Sequence, residues 1–391
     1  MIIDNMRAVV FGGAGVIGSC SVEYLSKLDK FSEIVIADIN EKAAKKISRK
    51  NEKITFTKIN AKDERSLIQS LNDADVAINC IGPFYKFAPF ILKAAIKKGV
   101  NYVDVCDDYD TTELLLDKFH KSALDANISC IVGLGASPGL TNLIAAYGSK
   151  QFTSVEEIKI FVTRSIDEKA GAAIPYHMLH CWVGEIPIYV NGRFKKARGL
   201  VDGKEYVNFP KPFGQMPVYY FGHPETVTLP RYIKGVKNVC CKGSFIPSEF
   251  RDILVNLDSL GLISEKSINV QDDNIKIIDF TAAYIEILRR RISKNNKDIA
   301  SGGSIMVEIS GLDDSEEKIM KYSGTAHMQQ GTGTPAAIGA KMITEGDITL
   351  KGVYAPEGCV PPEKFISNFF GAEGFGDVWI SFTQKMSGEL L

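Results

Sequence analysis

The chain opens on a regular exchange of short apolar runs and longer amphipathic stretches. Ala8 to Phe11 is apolar without a break, as a strand buried on both faces of a parallel sheet must be. The stretches "EIVIADIN", "KITFTKIN", "ADVAINCIGPF", "NYVDVCDDYD" and "ISCIVGLGA" predict five further strands. Between them "GVIGSCSVEYLSKL", "DERSLIQSLND", "KFAPFILKAAIKKG" and "TTELLLDKFHKSALDAN" read as helices, the third stopped by Gly99. Strands alternating with helices at this spacing predict a Rossmann-type, doubly wound parallel sheet. In such sheets ligands lie beyond the carboxyl ends of the strands. The segments to watch are therefore Cys80 to Pro83, Asp104 to Asp108 and Gly133 to Asn142.

After about residue 150 the period changes. "SVEEIKIFVTRS" alternates as a half-buried strand, and Asn191-Gly192 and Asp202-Gly203 signal hairpins. "NVCCKGSF" and "GSIMVEISG" are further strands, "EKIMKYSGTA" is expected to pair with the latter, and "IDFTAAYIEILRRRIS" is helical. This predicts an α+β domain on a largely antiparallel sheet. Helical pattern returns in "GTGTPAAIGAKMITEGD", with Thr334 as N-cap, Pro335 as first helical residue and Gly346 as stop. A short strand, "VWISFTQK", closes the pattern. The expected division is 1–138, 139–330 and 331–391.

The first strand runs into Gly13, Gly15 and Gly18, a G-x-G-x-x-G turn. Gly13 permits the tight turn, Gly15 lets a pyrophosphate approach the backbone, and Gly18 lets the helix pack on the strand. The free N–H groups of the helix N-terminus suit phosphate. Asp38 ends the second strand, 20 residues after Gly18. A carboxylate there accepts from ribose hydroxyls and repels a 2′-phosphate, so the cofactor expected is NAD. Gly13, Ala14, Gly15, Val16, Ile17, Gly18, Asp38 and Ile39 form the expected adenosine and pyrophosphate site. Cys80, Ile81, Gly82, Pro83, Gly135 and Ser137 are the expected contacts further along the cofactor.

Composition narrows the classes. Of 391 residues 45% are hydrophobic and 24% charged, ordinary for a globular protein. Net charge is −1 with no large basic cluster, so nucleic acid is not an expected partner. No apolar run reaches the roughly 18 residues of a membrane-spanning helix. The N-terminal residues lack a signal-peptide pattern, and a cytoplasmic address is expected. None of the eight cysteines falls in a C-x-x-C spacing, so reduced, buried thiols are expected.

Four stretches carry a family resemblance: "GGAGVIG", "INCIGPFYKFAPFILKAAIKKGVNYVDVCDD", "GLGASPGLTNLIA" and "GTGTPAAIGAKMITEGDITLKGVYAPEGCVPPEKF". On these the chain resembles the saccharopine dehydrogenase-like oxidoreductases, and within them the lysine 6-dehydrogenase group most. The resemblance covers residues 1 to 150 and 331 to 370 well, and "GHPETVTLPRY" looks like a piece of the substrate domain. It implies a C-terminal helix returning to the nucleotide domain, a middle domain carrying the substrate pocket and a homodimer interface, and dinucleotide-linked oxidation at a carbon bearing nitrogen, or the reverse. Saccharopine reductases have an aspartate where this chain has Ser137, before Pro138-Gly139. Serine is a poor proton acceptor without an adjacent base, which makes saccharopine itself a doubtful substrate.

Oxidation of an amine needs the nitrogen neutral, hence a nearby base, and an amino-acid substrate needs a cation for its carboxylate. Asp104 and Asp107, at the exit of the fifth strand, and His177 are the catalytic candidates. His177 and His180 form H-x-x-H, a spacing that places two imidazoles on one helix face; without a third ligand in sequence no metal is expected. His223 and Glu225, with Arg164 and Arg231 for a carboxylate, are candidate substrate contacts. The leading reading is NAD-dependent oxidative deamination of L-lysine at the 6-amino group. Its rivals are reductive condensation of an amine with a carbonyl acid, as in saccharopine or carboxynorspermidine synthesis, and a non-catalytic dinucleotide-binding protein.

Overall fold

The computed structural model describes residues 5–169, 171–296 and 299–371, and the backbone of 381–386. The chain divides into two compact units, Met1–Tyr147 with Met328–Gly376, and Gly148–His327 with Asp377–Leu391. The passage after Tyr147 falls inside a helix, later than the break expected at 138.

The first unit begins β1 (Met6–Phe11), α1 (Val16–Ser26), β2 (Phe31–Asp38), α2 (Glu41–Ser48), β3 (Ile54–Lys58) and α3 (Glu64–Ser70). It continues β4 (Val76–Asn79), α4 (Phe84–Lys98), β5 (Asn101–Asp104), α5 (Tyr109–Asp125), β6 (Ser129–Ile131) and α6 (Leu140–Ser149). The apolar run of β1 is fully buried, which is why it carries no alternation.

The second unit holds β7 (Ser154–Ser165), α7 (Ile174–His177), β8 (Glu185–Val190), β9 (Arg193–Arg198), β10 (Glu205–Phe209), β11 (Gly214–Tyr220) and α8 (Pro224–Tyr232). There follow β12 (Asn238–Ile246), α9 (Phe250–Ser259), β13 (Ser267–Val270), β14 (Asp273–Lys276), α10 (Ile277–Asn295), β15 (Gly303–Asp313) and β16 (Glu316–Ala326). The sheet runs β10-β11-β12-β7-β15-β16-β18, where β18 is Ser381–Met386, and β8 joins β12 with β9 beyond it. Only the β12–β7 pair is parallel among these strands, so the sheet is mixed, mostly antiparallel. Phe161 and Met306 from its centre pack with Val207, Phe209, Met216 and Val218 of the β10–β11 hairpin. Because β18 pairs with β16, the last strand belongs to this sheet and not to that of the first unit.

Of the two expected hairpin turns, one forms and one does not. Asn191-Gly192 does join a hairpin, β8 with β9. Asp202-Gly203 does not, since β10 pairs with β11. Leu200, in the left-handed region, donates its N–H to Tyr220, and Tyr220 donates to the Asp202 carbonyl. The turn is thereby tied to the end of β11, and the chain leaves β9 without reversing along it.

The chain then re-enters the first unit through α11 (Met328–Thr344), β17 (Gly352–Tyr354), α12 (Pro356–Cys359) and α13 (Pro362–Phe370). Its sheet is parallel throughout, in the order β17-β6-β5-β4-β1-β2-β3. The helix expected to start at Pro335 starts seven residues earlier, with Pro335 in its interior. Local sequence favours a turn there, but packing overrides it. A Cβ on Gly333 would lie 2.6 Å from the Ile17 carbonyl oxygen, so α11 and α1 touch backbone to backbone. Ser21 Oγ donates to the Gly333 carbonyl at 2.7 Å across this contact.

Candidate functional site

The glycine turn after β1 is built for close approach. Gly15 caps α1 with extended backbone and no side chain caps the helix, which leaves its first N–H groups for a ligand. A Cβ on Gly18 would stand 2.3 Å from the Gly12 carbonyl oxygen, so only glycine lets α1 begin this near β1. Asp38 reaches over the turn from the end of β2. Its Oδ2 accepts the Ala14 N–H at 3.0 Å and its Oδ1 the Asn40 N–H at 2.8 Å. Each oxygen keeps a second lone pair for a hydroxyl. Ile39, 69% exposed beside it, offers apolar surface for a base. The residues present therefore fit a dinucleotide: uncapped N–H groups, a cradle with no room for a side chain, and an acid at its rim.

The exits of β4, β5 and β6 are joined by a buried chain of hydrogen bonds. Ile81 N–H donates to Asn79 Oδ1 at 2.9 Å, and Asn79 Nδ2 donates to the Tyr102 hydroxyl at 3.0 Å. Tyr102 donates to Asp104 Oδ2 at 2.8 Å, while Asp104 Oδ1 accepts the Cys106 and Gly133 N–H groups at 3.0 and 2.8 Å. Asn79, Tyr102 and Asp104 are fully buried. Burial pushes the Asp104 carboxyl up to about 6, against the Cys106, Gly133 and Tyr102 donors that lower it. Asp104, read from sequence as a catalytic candidate, thus has both oxygens engaged in holding loops. Asp107 is half-buried at the same exit. Asp108 Oδ2 accepts the Tyr85 N–H at 2.9 Å and so pins the start of α4, which the sequence reading missed.

The turn Gly133–Asn142 closes on itself. Gly135 N–H donates to the Pro138 carbonyl, and Leu140 N–H to the Gly135 carbonyl, both at 2.8 Å. Gly139 has φ +122°, and a Cβ there would meet Gly135 backbone at 2.3 Å. The glycines thus serve the turn's own tight closure. Ser137 is half-buried within it. Asn142 Oδ1 accepts the Gly139 N–H at 2.8 Å, and its Nδ2 donates to Glu357 Oε2 at 3.0 Å.

The second unit gathers a different constellation. His223, just before α8, is 4% exposed, and Glu225 in its first turn is fully buried. His223 Nδ1 lies 2.5 Å from Glu225 Oε2. Thr226 Oγ1 donates to Cys241 Sγ at 3.5 Å, and that sulfur lies 3.9 Å from Glu225 Oε2. Burial, and then the Glu225 charge, push the Cys241 thiol well above its usual value, so it stays protonated. His223, Glu225 and Cys241 offer ligand atoms within 4.8 Å of one another. The imidazole and the carboxylate are in direct contact, with the thiol beside the carboxylate.

His177 ends α7, its ring centroid 5.9 Å from that of His223. Its Nε2 accepts the Trp182 indole N–H at 3.2 Å. A wide π-helical turn over Met178–Trp182 follows, and it separates a buried His177 from a half-buried His180. Trp182 stacks on Phe221 at 4.1 Å and packs on Phe245. Arg164 is half-buried on β7, and Arg231 is exposed in the last turn of α8. Trp182, Tyr102, Asn79 and Cys241 were not singled out from sequence. Asn79 and Tyr102 had a signal, polar groups within apolar strand runs.

Comparison with known proteins agrees with this architecture. Residues 9–131 match the saccharopine dehydrogenase NADP binding domain, and 135–372 the saccharopine dehydrogenase C-terminal domain. Carboxyaminopropylagmatine dehydrogenase of Synechocystis is 22% identical over 398 residues, 93% of this chain and 95% of that one. Carboxynorspermidine synthase of Vibrio cholerae is 25% identical over 274 residues, 64% of this chain and 61% of the relative. A lipid droplet localized protein of Caenorhabditis elegans is 27% identical over 143 residues, 34% of either chain. Saccharopine dehydrogenase (L-Glu forming) of Saccharomyces cerevisiae superposes with TM-score 0.70 at 12% identity, covering 97% of this chain and 100% of that one, a likeness of fold. Among the described residues no helix is long and apolar enough to cross a membrane. With both domain families matched in order and a dinucleotide cradle ahead of a second, mixed-sheet unit, the chain belongs to the saccharopine dehydrogenase family of NAD(P)-dependent oxidoreductases.

Proposed function

We propose that this protein catalyses reductive condensation of a primary amine with a carbonyl acid, using NADH. The buried His223–Glu225 pair carries the reading. When bound, the dinucleotide supplies hydride to the carbon of the carbon–nitrogen double bond. The nitrogen gains a proton as that happens, and the reverse reaction needs one removed. Glu225 fixes the imidazole of His223, and in this reading that imidazole carries the proton to or from the nitrogen. His177, with its Nε2 turned to Trp182, is a second imidazole beside that pair. Arg164 and Arg231 are the proposed partners of the substrate carboxylate. The relative spanning nearly the whole chain is named for a carboxyaminopropyl amine, which favours condensation over simple deamination.

The choice of NADH rests on Asp38, whose carboxylate at the rim of the glycine turn repels a 2′-phosphate. A cytoplasmic address and a homodimer belong to the same reading, and cell fractionation and light scattering test them. Oxidative deamination of L-lysine at the 6-amino group is the second reading, favoured by Ser137 where saccharopine reductases carry an acid.

The test is absorbance of the reduced cofactor. Loss of NADH with a diamine or agmatine plus aspartate semialdehyde, and no NAD reduction with lysine, is the expected result. Lysine-dependent formation of NADH with inert aldehyde mixtures would transfer the assignment to the second reading.

A further inference from the structure

Three strand exits of the nucleotide-binding sheet are linked by one directional hydrogen-bond chain, and none of its side chains is exposed. It runs from the Ile81 N–H through Asn79 and the Tyr102 hydroxyl to Asp104, which collects the Cys106 and Gly133 N–H groups. Each link has a fixed sense. Asn79 Oδ1 is occupied by a donor, so only its amide nitrogen faces Tyr102. Tyr102 accepts there and must donate onward. Asp104 meets three donors and must accept from all. At one end Ile81 touches the glycine cradle, since a Cβ on Gly12 would lie 3.1 Å from Ile81 Cγ1 and from the Cys80 carbonyl. At the other end Gly133 opens the turn that carries Ser137.

We infer that Tyr102, with Asn79 and Asp104, is a positioning residue for the dinucleotide, holding the Cys80–Pro83, Asp104–Asp108 and Gly133–Ser137 loops at one mutual spacing. This deepens the reading above and rests on it, because it takes these exits as the cofactor's bed. None of the three side chains touches the ligand. They act on backbone that does. A packed apolar core would stabilise the sheet as well, but it could not dictate the offset between three loop backbones, whereas a polar chain tolerates one arrangement.

The same strands supply a matched control. At their opposite ends Asn101 Nδ2 donates to the Asp75 carbonyl at 3.0 Å, and its Oδ1 accepts the Ser129 N–H at 3.0 Å. It bridges neighbouring strands as the relay does, away from the exits.

The experiment is fluorescence titration of the full chain with NADH and NADPH for wild type, Tyr102→Phe and Asn101→Ala, with thermal unfolding alongside. Tyr102→Phe keeps the ring and removes two links. Its dissociation constant should rise about ten-fold, with KM for the dinucleotide rising in step and KM for the amine unmoved. Asn101→Ala should bind within two-fold of wild type at a similar loss of melting temperature. Folded Tyr102→Phe that binds as wild type does, or Asn101→Ala that weakens binding equally, overturns the inference. If Tyr102→Phe does not fold, Asn79→Ala, which frees the Ile81 N–H, is read the same way. Wild type that binds neither dinucleotide overturns the parent reading as well, a result distinct from the other two.

Discussion

His223 Nδ1 and Glu225 Oε2 stand 2.5 Å apart, two residues apart in the chain and both out of solvent. The extended backbone of His223 and the first turn of α8 bring them together. Cys241 reaches the same carboxylate from β12.

Glu225→Gln keeps a hydrogen-bonding partner for the imidazole but removes the carboxylate charge beside it. The rate constant for turnover should fall roughly 10²-fold, the usual worth of a positioned proton carrier. The melting temperature should change little, because the hydrogen bond survives. Steady-state kinetics and a melting curve on one preparation check this, and unchanged turnover would remove the pair from the mechanism.

Asp38→Ser removes the carboxylate from the rim of the glycine turn. Discrimination against NADPH should relax, with KM for NADPH falling while that for NADH rises by about ten-fold, roughly one charge-assisted hydrogen bond. Unchanged discrimination would sink the role given to Asp38.

Asp104 ionises harder in the folded chain than in the unfolded one, near 6 against the ordinary 3.8. Between about pH 4 and 6 the folded chain holds a proton that the unfolded chain has released, so stability falls as pH rises through this window. Above it both forms are ionised and the penalty is constant. Asp104→Asn replaces this slope by a fixed offset, since its amide disturbs the Tyr102 link at every pH. Chemical denaturation should show wild type losing about 1–3 kcal/mol relative to the variant from pH 4 to 6. A parallel pair of stability curves contradicts the assignment.

Gly333→Ala drives a methyl into the Ile17 carbonyl and Cys20 Cβ, at 2.6 and 2.7 Å. Separating α11 from α1 should cost about 1–3 kcal/mol. Gly171→Ala, with nothing within 4 Å, should stay within about 0.5 kcal/mol of wild type. Denaturant midpoints of the two variants make the comparison.

Much of the nucleotide-binding unit was legible because its signals are local. A strand buried on both faces must be continuously apolar, and a backbone that meets phosphate must be glycine; Ala8–Phe11 and Gly13, Gly15 and Gly18 satisfy both. Asn191-Gly192 likewise set its own hairpin. Asp202-Gly203 carried the same local signal and failed, because Tyr220 captured the turn from a distant strand. Pro335 looked like a helix start until the contact of Gly333 with α1 extended the helix behind it.

By itself the sequence determined the parallel sheet, the glycine cradle with Asp38, and the presence of His223 and Glu225 in one short segment. Only the tertiary structure decided that Asp104 is sealed and fully engaged by Tyr102, Cys106 and Gly133. Only it decided that Cys241 and His177 join His223 and Glu225. The physical reason is range. Periodicity and turn chemistry act over a few residues, whereas a carboxylate's role depends on which donors distant strands deliver to it and on how much water they exclude.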